Sequence, residues 1–114
     1  MGCRSIKQKI LFFFAALLYC IPVQAIDTDA IQALIRRNNC NKCHAVEKDG
    51  APYKVIAERY RGDVQAEAKL IKHITSGVVV VFPDGHEEEH KIVRTVPAND
   101  EGQVKSLVQW LLTQ

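Results

Sequence analysis

Two thiols and an imidazole stand together in Cys40-Asn41-Lys42-Cys43-His44. Three chemistries use such a set. A dithiol pair can cycle between thiol and disulfide, but that use of C-x-x-C goes with a strand feeding a helix. No strand–helix alternation surrounds this motif. A structural zinc ion takes four ligands, and here it would have to borrow His86 and His90. The third chemistry is covalent attachment of haem, for which C-x-x-C-H is the signature. The spacing has a reason. Each thiol adds across one vinyl group of the porphyrin, and two intervening residues let both reach neighbouring vinyls from one turn of backbone. The next residue then lies under the iron. His44 can bind it there as the proximal ligand while its other N–H donates to a carbonyl. Of the three readings, haem agrees best with the rest of the chain.

The elements that must position these groups read as helices. Asp27 or Thr28 can cap a first helix, with Asp29 in its first turn. Ile31, Leu34 and Ile35 share one face of it, and Asn38 and Asn39 end it just before the cysteines. A loop over Ala45 to Gly50 follows. Pro52 opens a second, short helix with Tyr53, Ile56, Ala57 and Tyr60 on one side. Gly62 stops it and Asp63 caps a third, whose apolar face is assigned to Val64, Leu70, Ile71 and Ile74; Gly77 closes it. Val78 to Phe82 is β-branched enough to be extended, and Pro83-Asp84-Gly85 is a turn signal. Glu87, Glu88 and Glu89 read as a solvated charged turn. Asn99 or Asp100 caps the last helix, which carries Val104, Leu107, Val108, Trp110, Leu111 and Leu112. The expected fold class is all-α, about four helices, with a short irregular or hairpin-like loop before the C-terminal helix.

The beginning of the 114-residue chain has a different character. Arg4, Lys7 and Lys9 precede an apolar run from Ile10 to Ile21, Pro22 breaks it, and Val23-Gln24-Ala25 offers small residues for a peptidase. That is the layout of a secretory signal peptide over residues 1–25. An uncleaved anchor is the competing reading, but the run is about a dozen residues where a span needs roughly 20. Lipid attachment at Cys20 is disfavoured by the bulk of Tyr19. Residues 26–114 then form one domain, periplasmic, with no membrane span. Losing Arg4, Lys7 and Lys9 takes the formal charge from +2 to about −1. No basic stripe or aromatic ladder suits nucleic acid. Only Cys40 and Cys43 remain of four cysteines. A disulfide between them would close a tiny loop and stabilise little, so a small exported domain needs another staple, and a haem would supply it.

With these residues in view, the sequence resembles the class I cytochrome c family, small one-haem electron carriers. Ala51-Pro52-Tyr53-Lys54-Val55-Ile56-Ala57-Glu58-Arg59-Tyr60 is similar to that family's G-P-x-Y-x-x-I-A-x-x-Y segment, with Ala51 in place of glycine. Leu107 to Leu112 resembles its terminal helix. The resemblance implies one covalently attached haem c wrapped by helices with an edge exposed. It also implies that Pro52 packs near His44 and Tyr53 lines the haem pocket.

One departure matters. The family usually places a methionine on the far side of the iron, often just before a proline. Val96 precedes Pro97 here, and the sole methionine is Met1. Three histidines remain. His73 falls off the apolar face of the third helix and is expected to meet solvent. His86 follows the Pro-Asp-Gly turn, near an exposed tip. His90 lies nearest Ile92 and Val93, which can shield an iron bond. His90 is therefore the expected distal ligand, with His86 the alternative; the remaining readings are a five-coordinate iron or a lysine ligand such as Lys91.

Histidine on both faces leaves no substrate position, so the expected role is a carrier of single electrons between transient redox partner proteins, a monomer or weak oligomer, and not an enzyme. The alternative is a haem protein binding or sensing oxygen, nitric oxide, carbon monoxide or peroxide at a weakly held distal position. A haem module serving a larger dehydrogenase would share the carrier's chemistry.

Overall fold

The computed structural model describes residues 25–45 and 49–114. The segment expected to be a signal peptide lies outside the described residues except for Ala25, and so do residues 46–48 of the expected loop. The elements run α1 (Thr28–Arg37), α2 (Asn41–His44), α3 (Tyr53–Arg59), α4 (Ala66–Thr75), β1 (Val79–Val81), β2 (Glu87–Glu89) and α5 (Glu101–Leu111). Among the described residues no helix is long and apolar enough to cross a membrane.

Helix α1 starts where Asp27 accepts the Ala30 N–H at 3.1 Å. Its acidic first turn and its last-turn Arg36 and Arg37 complement the helix dipole. The end is a Schellman motif: the Cys40 N–H donates to the Ile35 carbonyl and the Asn39 N–H to that of Arg36, both at 3.1 Å. Asn39 takes the required left-handed conformation, φ 54°. One further turn, α2, capped by Cys40, then carries Cys43 and His44, so a helix stands where the sequence suggested only a cap and a loop.

Helix α5 is the hub. Asp100 caps it by accepting the Gln103 N–H at 3.0 Å. It packs against α1, α3 and α4. Ile31, Leu34 and Ile35 of α1 meet Leu107 in one buried cluster, and Leu70 of α4 meets Val108 and Leu111 in a second. Ile74 and Trp110 touch both clusters. The apolar face expected for α4 needs one correction. The helix starts at Ala66, which is buried, while Val64 lies in the preceding turn and is fully exposed.

Gly77, at φ 63°, ends α4 in the left-handed conformation and turns the chain into β1. β1 and β2 form an antiparallel hairpin with Val79, Val80 and Val81 opposite Glu89, Glu88 and Glu87. The three glutamates are therefore a strand, not a turn, although all are exposed as expected. Pairing with a β-branched partner outweighs the low strand preference of glutamate.

The segment after β2 is strapped across the molecule. The His90 N–H donates to the Val78 carbonyl and the Val93 N–H to that of Ile74, both at 2.8 Å. The Asn38 side chain clasps Arg94: its carboxamide oxygen accepts the Arg94 N–H at 2.7 Å, and its amide donates to the Arg94 carbonyl at 3.0 Å. A second bond from that amide reaches the Leu34 carbonyl at 2.9 Å. Asn38→Ala is expected to destabilise the folded protein by about 1 kcal/mol, since the freed Arg94 groups can turn to water. A denaturant midpoint unchanged from wild type would show that the clasp adds nothing.

Candidate haem site

The Schellman turn delivers Cys40 to the surface of the α1 cluster, against which it packs. In α2 the Cys43 and His44 N–H groups both donate to the Cys40 carbonyl, at 3.2 and 3.0 Å. Residues three apart on a helical turn face the same side, so both thiols look one way. Both are free and half-buried. Burial pushes the Cys40 thiol above its ordinary range, which keeps it protonated at neutral pH.

His44 is fixed from the chain that follows it. Its Nδ1 lies 2.8 Å from the Ala51 carbonyl, an arrangement that puts the proton on Nδ1 and leaves Nε2 as an acceptor. The Gly50 N–H donates to the Cys43 carbonyl at 2.7 Å. A Cβ at position 50 would stand 2.8 Å from that carbonyl oxygen and 3.0 Å from His44 Nδ1, so only glycine fits. Pro52 begins α3 and fixes the approach of Ala51. The Tyr53 ring stacks on His44 at 5.9 Å between centres and meets Trp110 edge-on at 5.4 Å, tying the site to α5. The Tyr53 hydroxyl donates to Asn41 at 2.7 Å. Burial, with a smaller contribution from the nearby Cys40 sulfur, pushes the Tyr53 phenol up to about 12, so it remains a donor.

Of the histidines beyond the motif, His90 comes to the site. Its ring centre is 5.9 Å from that of His44. Its Nδ1 lies 2.9 Å from the Lys91 carbonyl, again leaving Nε2 unprotonated. Burial holds its pKa below the ordinary histidine range, with a further lowering from His44. The imidazole is thus neutral, the form that binds metals. A metal–nitrogen bond of about 2 Å and roughly 1 Å from nitrogen to ring centre, on both sides, ask for about 6 Å between two rings sharing an iron. The two histidines fit that requirement, and the two thiols fit covalent attachment beside it.

His86 is engaged elsewhere. At the hairpin tip it stacks on Phe82, 4.2 Å between centres, and pairs with Asp84 on one nitrogen and Glu88 at 3.6 Å on the other. His73 corrects an expectation. It is half-buried and its ring centre lies 4.5 Å from that of His90. The signal that could have found it is the start of α4. An apolar face drawn from Ala66, Leu70, Ile71 and Ile74 swings toward His73 by roughly 40° at 100° per residue.

Comparison with known proteins supplies the family. The family model for Cytochrome c matches residues 28–114. The chain is 33% identical over 87 residues to a cytochrome c-551 of Allochromatium vinosum, covering 69% of this chain and 80% of that protein. The crystal structure of the class 1 cytochrome MtoD from Sideroxydans lithotrophicus ES-1 superposes with a TM-score of 0.70 at 56% identity, over 78% of this chain and 97% of that one. A mostly helical fold around C-x-x-C-H, with these relatives, has one interpretation: the chain belongs to the cytochrome c family of one-haem electron carriers and binds one covalently attached haem c.

Proposed function

We propose that the protein is a periplasmic carrier of single electrons and not an enzyme. In this reading it is exported with removal of residues 1–25, and its haem is bonded through Cys40 and Cys43. His44 is the proximal ligand and His90 the distal one. The observation that carries the proposal is the pairing of two imidazoles, each with Nδ1 tied to a backbone carbonyl, at 5.9 Å between ring centres.

When bound, the haem supplies the one-electron couple of its iron. The residues do the rest. Cys40 and Cys43 would hold the haem through thioether bonds, each thiol adding its sulfur to one vinyl carbon and its hydrogen to the other, so that attachment would need no oxidant. Ala51 and Lys91 hold the two imidazoles in the ligating tautomer through their carbonyls. Gly50 permits the close return of the chain beneath His44. Tyr53 braces the His44 ring against α5 through Trp110. With His44 and His90 both holding the iron, no position would remain for a substrate. Histidine in place of the family's methionine lowers the potential. Partners then dock transiently through small interfaces.

The test is the spectrum of the isolated haem protein. A six-coordinate low-spin ferric haem is expected, without the near-infrared band of a methionine–iron bond, and the reduced protein should bind carbon monoxide poorly. A high-spin spectrum that shifts readily with carbon monoxide would support the small-ligand-binding alternative instead. For the distal assignment, His90→Ala should change the ferric electron paramagnetic resonance signature. An unchanged signature would remove His90 from the iron.

A further inference from the structure

The distal side carries two imidazoles, and the reading above uses one. His73 projects from α4, His90 from the end of β2, and their rings touch at 4.5 Å between centres with a 57° tilt. The two scaffolds meet where the Val93 N–H donates to the Ile74 carbonyl of α4 at 2.8 Å, but each ring has its own main support. α4 is anchored through Leu70 to Val108 and Leu111 of α5, whereas His90 depends on the strap from Val78 to Arg94. Among the described residues, side-chain hydrogen bonds engage Nδ1 of His44, His86 and His90 and leave the His73 ring out.

The geometry points to His73 as a reserve distal ligand: when the bond to His90 opens, His73 takes the same coordination position from α4 and keeps the iron closed to small molecules. The inference rests on His90 as the resident ligand. The exchange breaks one iron–nitrogen bond and forms another, with no change of charge or oxidation state. Both ligands are imidazoles, so the iron stays low-spin and the potential moves little, while the new ring orientation alters the paramagnetic signature. The strap can therefore move without converting a carrier into a ligand-binding haem.

The experiment compares His90→Ala with His73→Ala/His90→Ala, each checked for attached haem and for helix content. The single variant should stay low-spin with an altered ferric paramagnetic signature. The double variant should become high-spin. If His73 occupies the iron nine-tenths of the time, carbon monoxide should bind the reduced double variant about tenfold more tightly than the single one. Equal affinities, with the single variant already high-spin, would overturn the inference while leaving His90 as ligand. A His90→Ala signature identical to wild type would instead overturn the reading of His90, and so would a high-spin His73→Ala. Should His90→Ala not fold, His73→Ala decides alone: carbon monoxide should capture its reduced form several-fold faster than wild type. An unchanged rate sinks the inference.

Discussion

A chain with Cys40→Ala and Cys43→Ala is expected to emerge without covalent haem and largely unfolded. The reason is the size of what would remain. The buried apolar residues form two small clusters, Ile31, Leu34, Ile35 and Leu107 in one and Leu70, Val108 and Leu111 in the other. They are joined through Ile74 and Trp110. A domain of this length buries a modest share of its surface and is marginal on its own. Whatever binds only the folded state adds its binding free energy to stability, and a bonded haem does so without dissociating. Acid–acetone extraction should leave haem on the wild-type chain and none on the variant, and circular dichroism should show lost helix. A variant that keeps wild-type helicity without haem would mean that the two clusters suffice.

Ile35→Ala is expected to cost about 3 kcal/mol, a fall in Tm of roughly 15 °C for a domain of this size. Ile35 is 1% exposed, among the most buried side chains described. It does two things at once. Its side chain fills the α1–α5 contact beside Leu107, and its carbonyl receives the Cys40 N–H that ends α1. The cavity left by alanine would open in the cluster against which Cys40 packs. Ile35→Val should retain most of the stability. A loss below about 1 kcal/mol for alanine would show that the cluster collapses to fill the space. Thermal melts of the haem-bound protein measure both.

The proximal half of the site was legible because it is local. Cys40, Cys43 and His44 are neighbours in sequence, and Asn38 and Asn39 announce the turn that presents them. Pro52 and Tyr53 follow within a few residues. The helices were legible where several apolar residues recur with helical period, as in α1 and α5. The distal half was harder because it is assembled from distant segments. His90 could be singled out by elimination and by its apolar neighbours. His73 could not, since its contact with His90 joins α4 to the strap, and including Val64 turned the inferred face away from it. Glu87 to Glu89 misled for a related reason: three carboxylates in a row look solvated whether they form a turn or a strand, and only pairing with Val79 to Val81 distinguishes the two. The clasp of Asn38 on Arg94 spans 56 residues and leaves no pattern in sequence.

That clasp has a consequence for exchange of amide hydrogens with solvent. The N–H groups of His90, Val93 and Arg94 are bonded to three different elements, the start of the hairpin, the end of α4 and the end of α1. Fraying one helix end frees at most one of them. Release of the strap requires all three attachments to part, so these amides belong to one cooperative opening unit. Their protection factors should rise and fall together under mild denaturant, even though Arg94 itself lies on the surface. The lifetime of the His90 position is then set by the opening of that unit and not by the exposure of any one residue in it.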